Sequence, residues 1–437
     1  MRDSVFREGD KLKKIISIPL VKSLLGTTMV KVITVFLSFF VSVFFARSLS
    51  VDDFGEYNYL VNVITLISLP ISAGLPNLIV KYTSEYRVKN EIEKIQGFIF
   101  FAFGLSLTIS LIFFLILFFV FEYGKFDNTF AFYVLLLSVI ISITNILASF
   151  LRGYDRILLS QLPIFIIKPG LLFIVVVIIG ALGGLNVESA LLLNLMASSV
   201  ALVYAFYEFC KLRINSSKVI YDTKVWLGKA LPFLISGSAF FLNSKLDTLM
   251  LGGLRENSEV AFYEVASKLG TLMTFFLSIN ATVLAPKIAE LYTVNKYSEL
   301  KILLFRSVLF ASSMALPFFI TFFFGGEYII SRSYGIEYVE SYVPLIILMF
   351  GHLFSCLMGS SGLVLNMTNN QNLAAYGMVL SVIINFTLNF LLIPFWGAIG
   401  AAVATSLSLV AWNSILVVMV KIKLGVNTTI FQNPKLC

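Results

Sequence analysis

The chain has 437 residues, of which 58% are hydrophobic and 13% are charged, and its formal net charge is +8. A charged share this far below the roughly 25% of soluble domains excludes an ordinary soluble protein. The basic excess does not indicate a nucleic acid partner, because most Lys and Arg residues flank apolar stretches instead of clustering on a soluble face. The composition therefore predicts an integral membrane protein.

Apolar stretches long enough to cross a membrane recur from one end of the chain to the other. A bilayer core of about 30 Å requires roughly 20 apolar residues in a helix, which gives about 12 spans here. We predict them at residues 24–46, 58–80, 97–121, 129–150, 161–184, 188–209, 230–252, 260–285, 303–325, 341–366, 371–394 and 398–420. The fold class expected is an all-α integral membrane protein.

The connections between these spans alternate in charge. Most of the 32 Lys and Arg residues fall in every second connection and in the two terminal segments. The positive-inside rule then places both termini in the cytoplasm and favours an even number of spans. The first residues are charged and amphipathic, and no A-x-A-like cleavage site follows, so we expect no removable signal peptide.

The two halves of the sequence resemble each other. "SLSVDDFGEYNYL" after the first span is similar to "GLRENSEVAFYEVA" after the seventh. The same number of residues separates Tyr57 from Tyr263 as separates Lys81 from Lys287. A parallel repeat of six spans plus six is typical of alternating-access transporters, although helix ends can also look alike by chance. The repeat predicts two six-helix lobes, at residues 24–210 and 230–420, joined by a linker at 211–229. A cytoplasmic segment at 1–23 precedes them, and a cytoplasmic tail at 421–437 follows.

Six charged residues lie inside the predicted spans. They are the basic residues Lys31, Lys168, Lys245 and Lys268 and the acids Asp247 and Glu264. A charge at the centre of a bilayer costs at least roughly 2.5 kcal/mol, so such residues mark a polar interior by default. The lysines outnumber the acids, and an excess of ammonium groups suits an anionic ligand such as phosphate.

These charges also have structural interpretations that do not involve a ligand. Glu264 and Lys268 are spaced i, i+4 and can pair on one helix face. Lys245 and Asp247 are two residues apart, cannot pair with each other, and need partners on other helices or a wet cavity. Lys168 precedes Pro169, and a lysine can satisfy a backbone carbonyl that a proline leaves unpaired.

Several catalytic and cofactor sites are excluded by the residues that are missing. His352 is the sole histidine, and the three cysteines show no C-x-x-C spacing, so neither a histidine-rich metal site nor a catalytic triad is expected. No G-x-x-x-x-G-K-[ST] loop is present, which argues against ATP hydrolysis. We predict no enzyme activity, no cofactor and no metal centre, and we interpret His352 and Cys356 as packing residues.

Five segments together resemble one family of transporters. "FFARSLSVDDFGEYNYL", "SAGLPNLIVKYTSEY", "LDTLMLGGLRENSEVAFYEVASKL", "LAPKIAELY" and "LNFLLIPFWGAIGAAVATSLS" are similar to the polysaccharide flippase (Wzx type) family of the multidrug/oligosaccharidyl-lipid/polysaccharide exporter superfamily. The resemblance runs from about residue 24 to 420. It implies two lobes around a central cavity, transfer of lipid-linked oligosaccharide to the outer leaflet, and an acidic position that corresponds to Asp247.

The function expected is therefore a flippase of the bacterial inner membrane. It would move undecaprenyl-diphosphate-linked repeat units for O-antigen (lipopolysaccharide) or capsule assembly, with membrane lipid, polymerase and chain-length machinery as partners. Lys31, Lys168, Lys245 and Lys268 are the candidate substrate-binding residues, and Asp247 or Glu264 the candidates for a coupling proton or sodium ion. The alternatives are a cation-coupled drug antiporter, and a membrane polymerase or glycosyltransferase, for which the longest outer segment, at about 326–340, is short.

Overall fold

The computed structural model describes residues 18–123, 128–182, 184–214 and 218–431. Every regular element within these ranges is a helix, which confirms the all-α prediction. Residues 1–17 of the predicted amino-terminal segment and 432–437 of the predicted tail lie outside the described residues.

The helices are numbered in chain order. They are α1 Ile18–Ser48, α2 Val51–Ile71, α3 Leu75–Val88, α4 Ile92–Tyr123, α5 Asn128–Gly153, α6 Ile157–Leu162, α7 Lys168–Leu182, α8 Val187–Cys210, α9 Thr223–Leu254, α10 Asn257–Thr293, α11 Tyr297–Ser333, α12 Tyr342–Met358, α13 Ser361–Met367 and α14 Gln371–Leu424. A π-helical turn, Pro163–Ile167, joins α6 to α7, and a 3₁₀ helix, Ile336–Ser341, precedes α12.

Each predicted span coincides with one helix or with a broken helix. By length and hydropathy, eight of the described helices are apolar enough to cross a membrane, or nine if α2 and α3 are counted as one bent span. Helix α14 counts once although Gly397 interrupts it with φ 52° and ψ −128°. The chain is thus a multi-pass membrane protein, and the number of twelve crossings stays a prediction.

The bend between α2 and α3 depends on a close backbone contact. The two helices meet at 43°, and Gly74 at the junction has φ 67°, in the left-handed region that glycine occupies without strain. A Cβ atom at this position would lie 2.8 Å from the Ala230 carbonyl oxygen on α9. Glycine therefore permits both the turn and the approach of α9.

The described parts of residues 1–41, 67–178 and 191–235 form one compact unit. Its core surrounds Trp226, which is fully buried and lies 4.8 Å from the Phe98 ring between centroids. The Trp226 indole N–H donates to the Tyr86 hydroxyl at 3.0 Å. The predicted linker at 211–229 therefore contains a core residue of this unit.

The described parts of residues 42–66, 179–190 and 236–437 form the second compact unit. One apolar cluster in it joins α10, α11, α13 and α14 through Ile288, Leu304, Leu365 and Val420, all of which are buried. The lobe boundaries given above stay a prediction.

Candidate functional site

A buried carboxylate on α10 accepts three hydrogen bonds on one oxygen. Glu264 Oε1 accepts from Lys245 Nζ at 3.1 Å, Thr248 Oγ1 at 2.9 Å and Asn62 Nδ2 at 3.0 Å. The Glu264 side chain is 8% exposed and that of Lys245 is 34% exposed. An ion pair with additional hydrogen bonds reduces the cost of holding two charges away from water.

The donors reach Glu264 because of helix periodicity. Lys245 and Thr248 are three residues apart on α9, so their side chains lie on the same face. Asn62 approaches from α2 and also donates to the Asn58 carbonyl at 2.8 Å. Glu264 thus connects three helices, and Lys245 has a partner on another helix, which is one of the two options that the sequence left open.

Lys268 does not form the i, i+4 ion pair with Glu264 that the spacing allowed. It is half-buried, and among the described residues no carboxylate lies within the 4.0 Å of an ion pair. It interacts electrostatically with both Glu264 and Lys245. Glu264 therefore offsets one lysine, and Lys268 leaves this group of charges net positive.

Asp247 lies in a separate network whose donors are neutral. Its Oδ1 accepts from Asn385 Nδ2 at 3.0 Å and from Asn389 Nδ2 at 2.5 Å, and its Oδ2 accepts from the Tyr263 hydroxyl at 2.8 Å. Asp247 is 3% exposed, and no cation among the described residues forms an ion pair with it. The partners on α10 and α14 confirm that Asp247, like Lys245, is satisfied by other helices.

One oxygen in this network has no hydrogen-bond partner. Asn389 is fully buried, its Nδ2 also donates to Asn385 Oδ1 at 3.1 Å, and its own Oδ1 accepts nothing from the described residues. The Tyr263 hydroxyl is also within 3.1 Å of Thr405 Oγ1. The site therefore combines a buried carboxylate with several neutral oxygens, one of which is unpaired, and a buried polar group without a partner is costly.

A second contact between α10 and α14 lies next to this network. The Glu259 carboxylate accepts from the Ala398 backbone N–H at 2.7 Å. Ala398 begins the part of α14 that follows the break at Gly397, and the first amides of a helix have no intrahelical acceptor. Glu259 thus caps this segment, one helical turn before Tyr263 on α10.

The two other lysines of the predicted site lie in the first compact unit. Lys31 is exposed on α1, and Lys168 is half-buried at the start of α7. Pro169 has no N–H for the Phe165 carbonyl four residues earlier, and Thr34 Oγ1 donates to that carbonyl at 2.9 Å. This carbonyl therefore does not depend on Lys168.

Sequence inspection missed the neutral members of both networks. Asn385 and Asn389 are spaced i, i+4 in an apolar span, which places two amides on one helix face. This spacing was the available signal, since amides inside a span need a polar partner. Tyr263, Thr405 and Asn62 carried no such signal, because single Tyr, Thr and Asn residues are tolerated in spans.

Comparison with known families decides what kind of protein carries these networks. The family model described as "Polysaccharide biosynthesis protein" matches residues 20–292, which is more than half of the chain. The chain belongs to this family. The family resemblance inferred from the sequence motifs is thereby confirmed.

Two relatives align with most of the length of the chain. It is 26% identical over 381 residues to the "Probable low-salt glycan biosynthesis flippase Agl15" of Haloferax volcanii, covering 85% of this chain and 77% of the relative. It is 25% identical over 365 residues to the "Capsular polysaccharide biosynthesis protein CapF" of Staphylococcus aureus, covering 82% and 88%.

Solved structures of two transporter types share the fold. The lipid II flippase MurJ in an inward closed conformation matches with a TM-score of 0.70 at 16% identity, over 92% of this chain and 87% of that one. An inward-facing multidrug resistance MATE transporter matches with a TM-score of 0.70 at 13% identity, over 89% and 94%. At these low identities, both structures show the fold of the chain alone. The relative from Haloferax volcanii is described as a probable flippase, which agrees with the prediction that the chain is not an enzyme.

Proposed function

We propose that the chain is a flippase that moves lipid-linked oligosaccharides across a membrane by alternating access. The observation that carries the proposal is the match to the polysaccharide biosynthesis family over residues 20–292. The relatives described as a glycan biosynthesis flippase and a capsular polysaccharide biosynthesis protein support a glycan substrate. The lipid II flippase shows that this fold can serve a lipid-linked substrate.

The lysines supply the charge that a diphosphate head group requires. Among the described residues, Lys31, Lys168 and Lys268 have no carboxylate within ion-pair distance, and Lys245 forms an ion pair with Glu264 alone. A lysine ammonium is a compact point charge that suits phosphate oxygens. We therefore propose that each of the four lysines contacts the anionic head group at some stage of transport.

The finer description of the substrate is part of the proposal. The carrier would be undecaprenyl diphosphate and the glycan an O-antigen or capsule repeat unit, moved across the bacterial inner membrane by a protein with both termini in the cytoplasm. The capsular relative from Staphylococcus aureus supports this choice. A polymerase and chain-length machinery would receive the product on the outer side.

Asp247 is the proposed site of a coupling proton or sodium ion. A buried carboxylate that has only neutral partners gains most from a proton or a cation. Tyr263, Asn385, Asn389 and Thr405 supply further oxygens in the same network. Glu264 is the weaker choice of the two acids, because Lys245 already compensates its charge. An unchanged transport rate after collapse of the proton and sodium gradients would contradict coupling.

The test is made in the source cell with this gene deleted. Surface polysaccharide and the lipid-linked oligosaccharide retained on the cytoplasmic leaflet are quantified with no protein, wild type, Lys268→Ala, and the exposed control Lys423→Ala, at matched membrane abundance. We expect the deletion to accumulate substrate inside, and the wild type and control to restore export. Lys268→Ala should restore it poorly. Normal export in the deletion strain would contradict the flippase function.

A drug antiporter is the second candidate, because the MATE transporter matches the fold as well as the flippase does. A site for cationic drugs needs unpaired acids, whereas Glu264 is paired with Lys245 and Asp247 is enclosed by Asn and Tyr side chains. Drug resistance of cells that overexpress the protein, with unchanged polysaccharide export, would favour this alternative.

A further inference from the structure

An open pocket of about 580 Å³ lies between the end of α1 and the 3₁₀ helix that precedes α12. Arg47 and Ser50 line one side, Glu337 lines the other, and Tyr334 and Tyr338 are part of its wall. All of these residues belong to the second compact unit. The volume falls within the range of roughly 300–1,000 Å³ that is typical of small-ligand sites.

The Arg47 guanidinium is held in place by the backbone. Its Nε–H donates to the Ser333 carbonyl at 2.6 Å, and its Nη2 donates to the Arg332 carbonyl. These carbonyls end α11 and have no intrahelical donor. A guanidinium has five N–H donors in a fixed plane. Arg47 is therefore oriented while its Nη1 group keeps donors for a ligand.

Glu337 brings an uncommitted carboxylate to the same pocket. It is exposed and forms no hydrogen bond or ion pair within the part of the chain that the structure describes. Gly335 makes room for it, because a Cβ atom there would lie 2.6 Å from Glu337 Oε2, and the φ of 130° at Gly335 also favours glycine. The carboxylate can thus accept hydrogen bonds from a ligand.

The wall between these two charged groups is rigid and partly aromatic. Tyr338 is buried, donates from its hydroxyl to the Ala46 carbonyl at 3.0 Å, and contacts the Phe54 ring edge to face. Tyr334 is buried beside it, with the two ring centroids 6.1 Å apart. Fixed aromatic walls with polar groups at defined positions are typical of sites that orient a ligand.

We propose that this pocket binds the sugar part of the transported lipid, a proposal that rests on the function proposed above. Neutral sugars present vicinal hydroxyls, which accept from a guanidinium and donate to a carboxylate. A phosphate would be repelled by Glu337 and a cationic ligand by Arg47, whereas a lipid tail has no use for either charge. The Ser50 hydroxyl, whose oxygen already accepts from the Asp53 N–H at 3.1 Å, keeps its proton for a further hydrogen bond.

The position of the pocket gives it a place in the transport cycle. Arg47 and Glu337 lie in connections that the charge pattern assigns to the outer side, after the first and the ninth predicted spans. A glycan subsite there receives sugars that have crossed the membrane. None of the four lysines assigned to the head group lines this pocket. Sugar recognition at this point selects for the glycan and not for its carrier.

The test measures glycan binding to the purified full-length chain in lipid nanodiscs. The probe is the oligosaccharide released by mild acid from the lipid-linked pool of the source cell, labelled at its reducing end and followed by fluorescence anisotropy. Glu337→Gln removes the carboxylate charge, and Glu340→Gln on the same 3₁₀ helix is the matched control, because Glu340 is also exposed and does not line the pocket.

We expect Glu337→Gln to weaken binding by about tenfold, since a hydrogen bond to a charged group is lost, and Glu340→Gln to bind like wild type. Arg47→Lys should also weaken binding, because a lysine cannot donate to two carbonyls and to a sugar in one plane. Equal binding by wild type and Glu337→Gln, equal weakening by Glu340→Gln, or no binding by wild type would each overturn the subsite. The proposed function fails separately, by normal export in the deletion strain.

Discussion

The Tyr263 hydroxyl donates a hydrogen bond of 2.8 Å to Asp247, while the next residue on α10, Glu264, accepts from Lys245 at 3.1 Å. Consecutive residues of one helix point about 100° apart. Residues 263 and 264 therefore each satisfy a different charge of α9, and a displacement of α10 along α9 would break both contacts together.

Replacing Asp247 by asparagine should remove the response of the protein to cations. A cation that binds only the folded state raises stability by an amount that grows with the logarithm of its concentration over its dissociation constant, once the site is mostly occupied. We expect sodium chloride to raise the melting temperature of wild type above its value in choline chloride at the same pH, and Asp247→Asn to lose this rise. Asp52→Asn, at an exposed acid of α2, is the control and should keep it. The same rise in Asp247→Asn would exclude this carboxylate as the ion site.

The pair of Lys245 and Glu264 predicts non-additive mutational effects. Lys245→Met leaves Glu264 without its counter-charge, and Glu264→Gln leaves Lys245 without its counter-charge. We expect about 1–3 kcal/mol of destabilisation from each, below the cost for a fully buried pair, because Lys245 is partly exposed. The double variant should cost clearly less than the sum. Free energies of unfolding from SDS titration in mixed micelles measure this, and additive costs would show that the pair contributes no coupling energy.

Gly397 should tolerate no side chain. Its φ of 52° with ψ −128° is a conformation that glycine alone adopts readily, and a Cβ atom would lie 2.5 Å from Glu259 Oε2. We expect Gly397→Ala to lower stability by about 1–3 kcal/mol and to disturb the cap that Glu259 provides. Gly104→Ala in α4, where nothing lies within 4 Å of the added atom, should be neutral or stabilising. Equal melting temperatures for the two variants would contradict the strain at Gly397.

Trp226 should anchor the start of α9 in the first unit. Trp226→Ala removes a fully buried aromatic side chain, and we expect a loss of about 3–5 kcal/mol. Tyr86→Phe removes the acceptor of its indole N–H, which should cost about 1–3 kcal/mol, since a buried donor is left unpaired. Limited proteolysis near residue 220, at matched temperature, checks the anchoring. Unchanged cleavage in Trp226→Ala would show that this segment is held by other contacts.

Local sequence patterns predicted much of the fold. Each apolar run of the predicted length coincides with helical structure, either one helix or a broken one, because hydropathy and helix periodicity are properties of neighbouring residues. The π-helical turn before Pro169 and the bend at Gly74 were less predictable. A proline reveals that a carbonyl loses its donor, but only the structure shows that Thr34 of α1 donates to the Phe165 carbonyl.

Hydropathy identified six charges inside the predicted spans, and helix spacing showed that Lys245 and Asp247 could not satisfy each other. Helix packing selects Lys245, and not Lys268 one turn away, as the partner of Glu264, and it brings two amides of α14 to Asp247. The physical reason is that these partners belong to separate helices. Helix spacing states which residues share a face, whereas the choice of a partner depends on which faces meet when the helices pack.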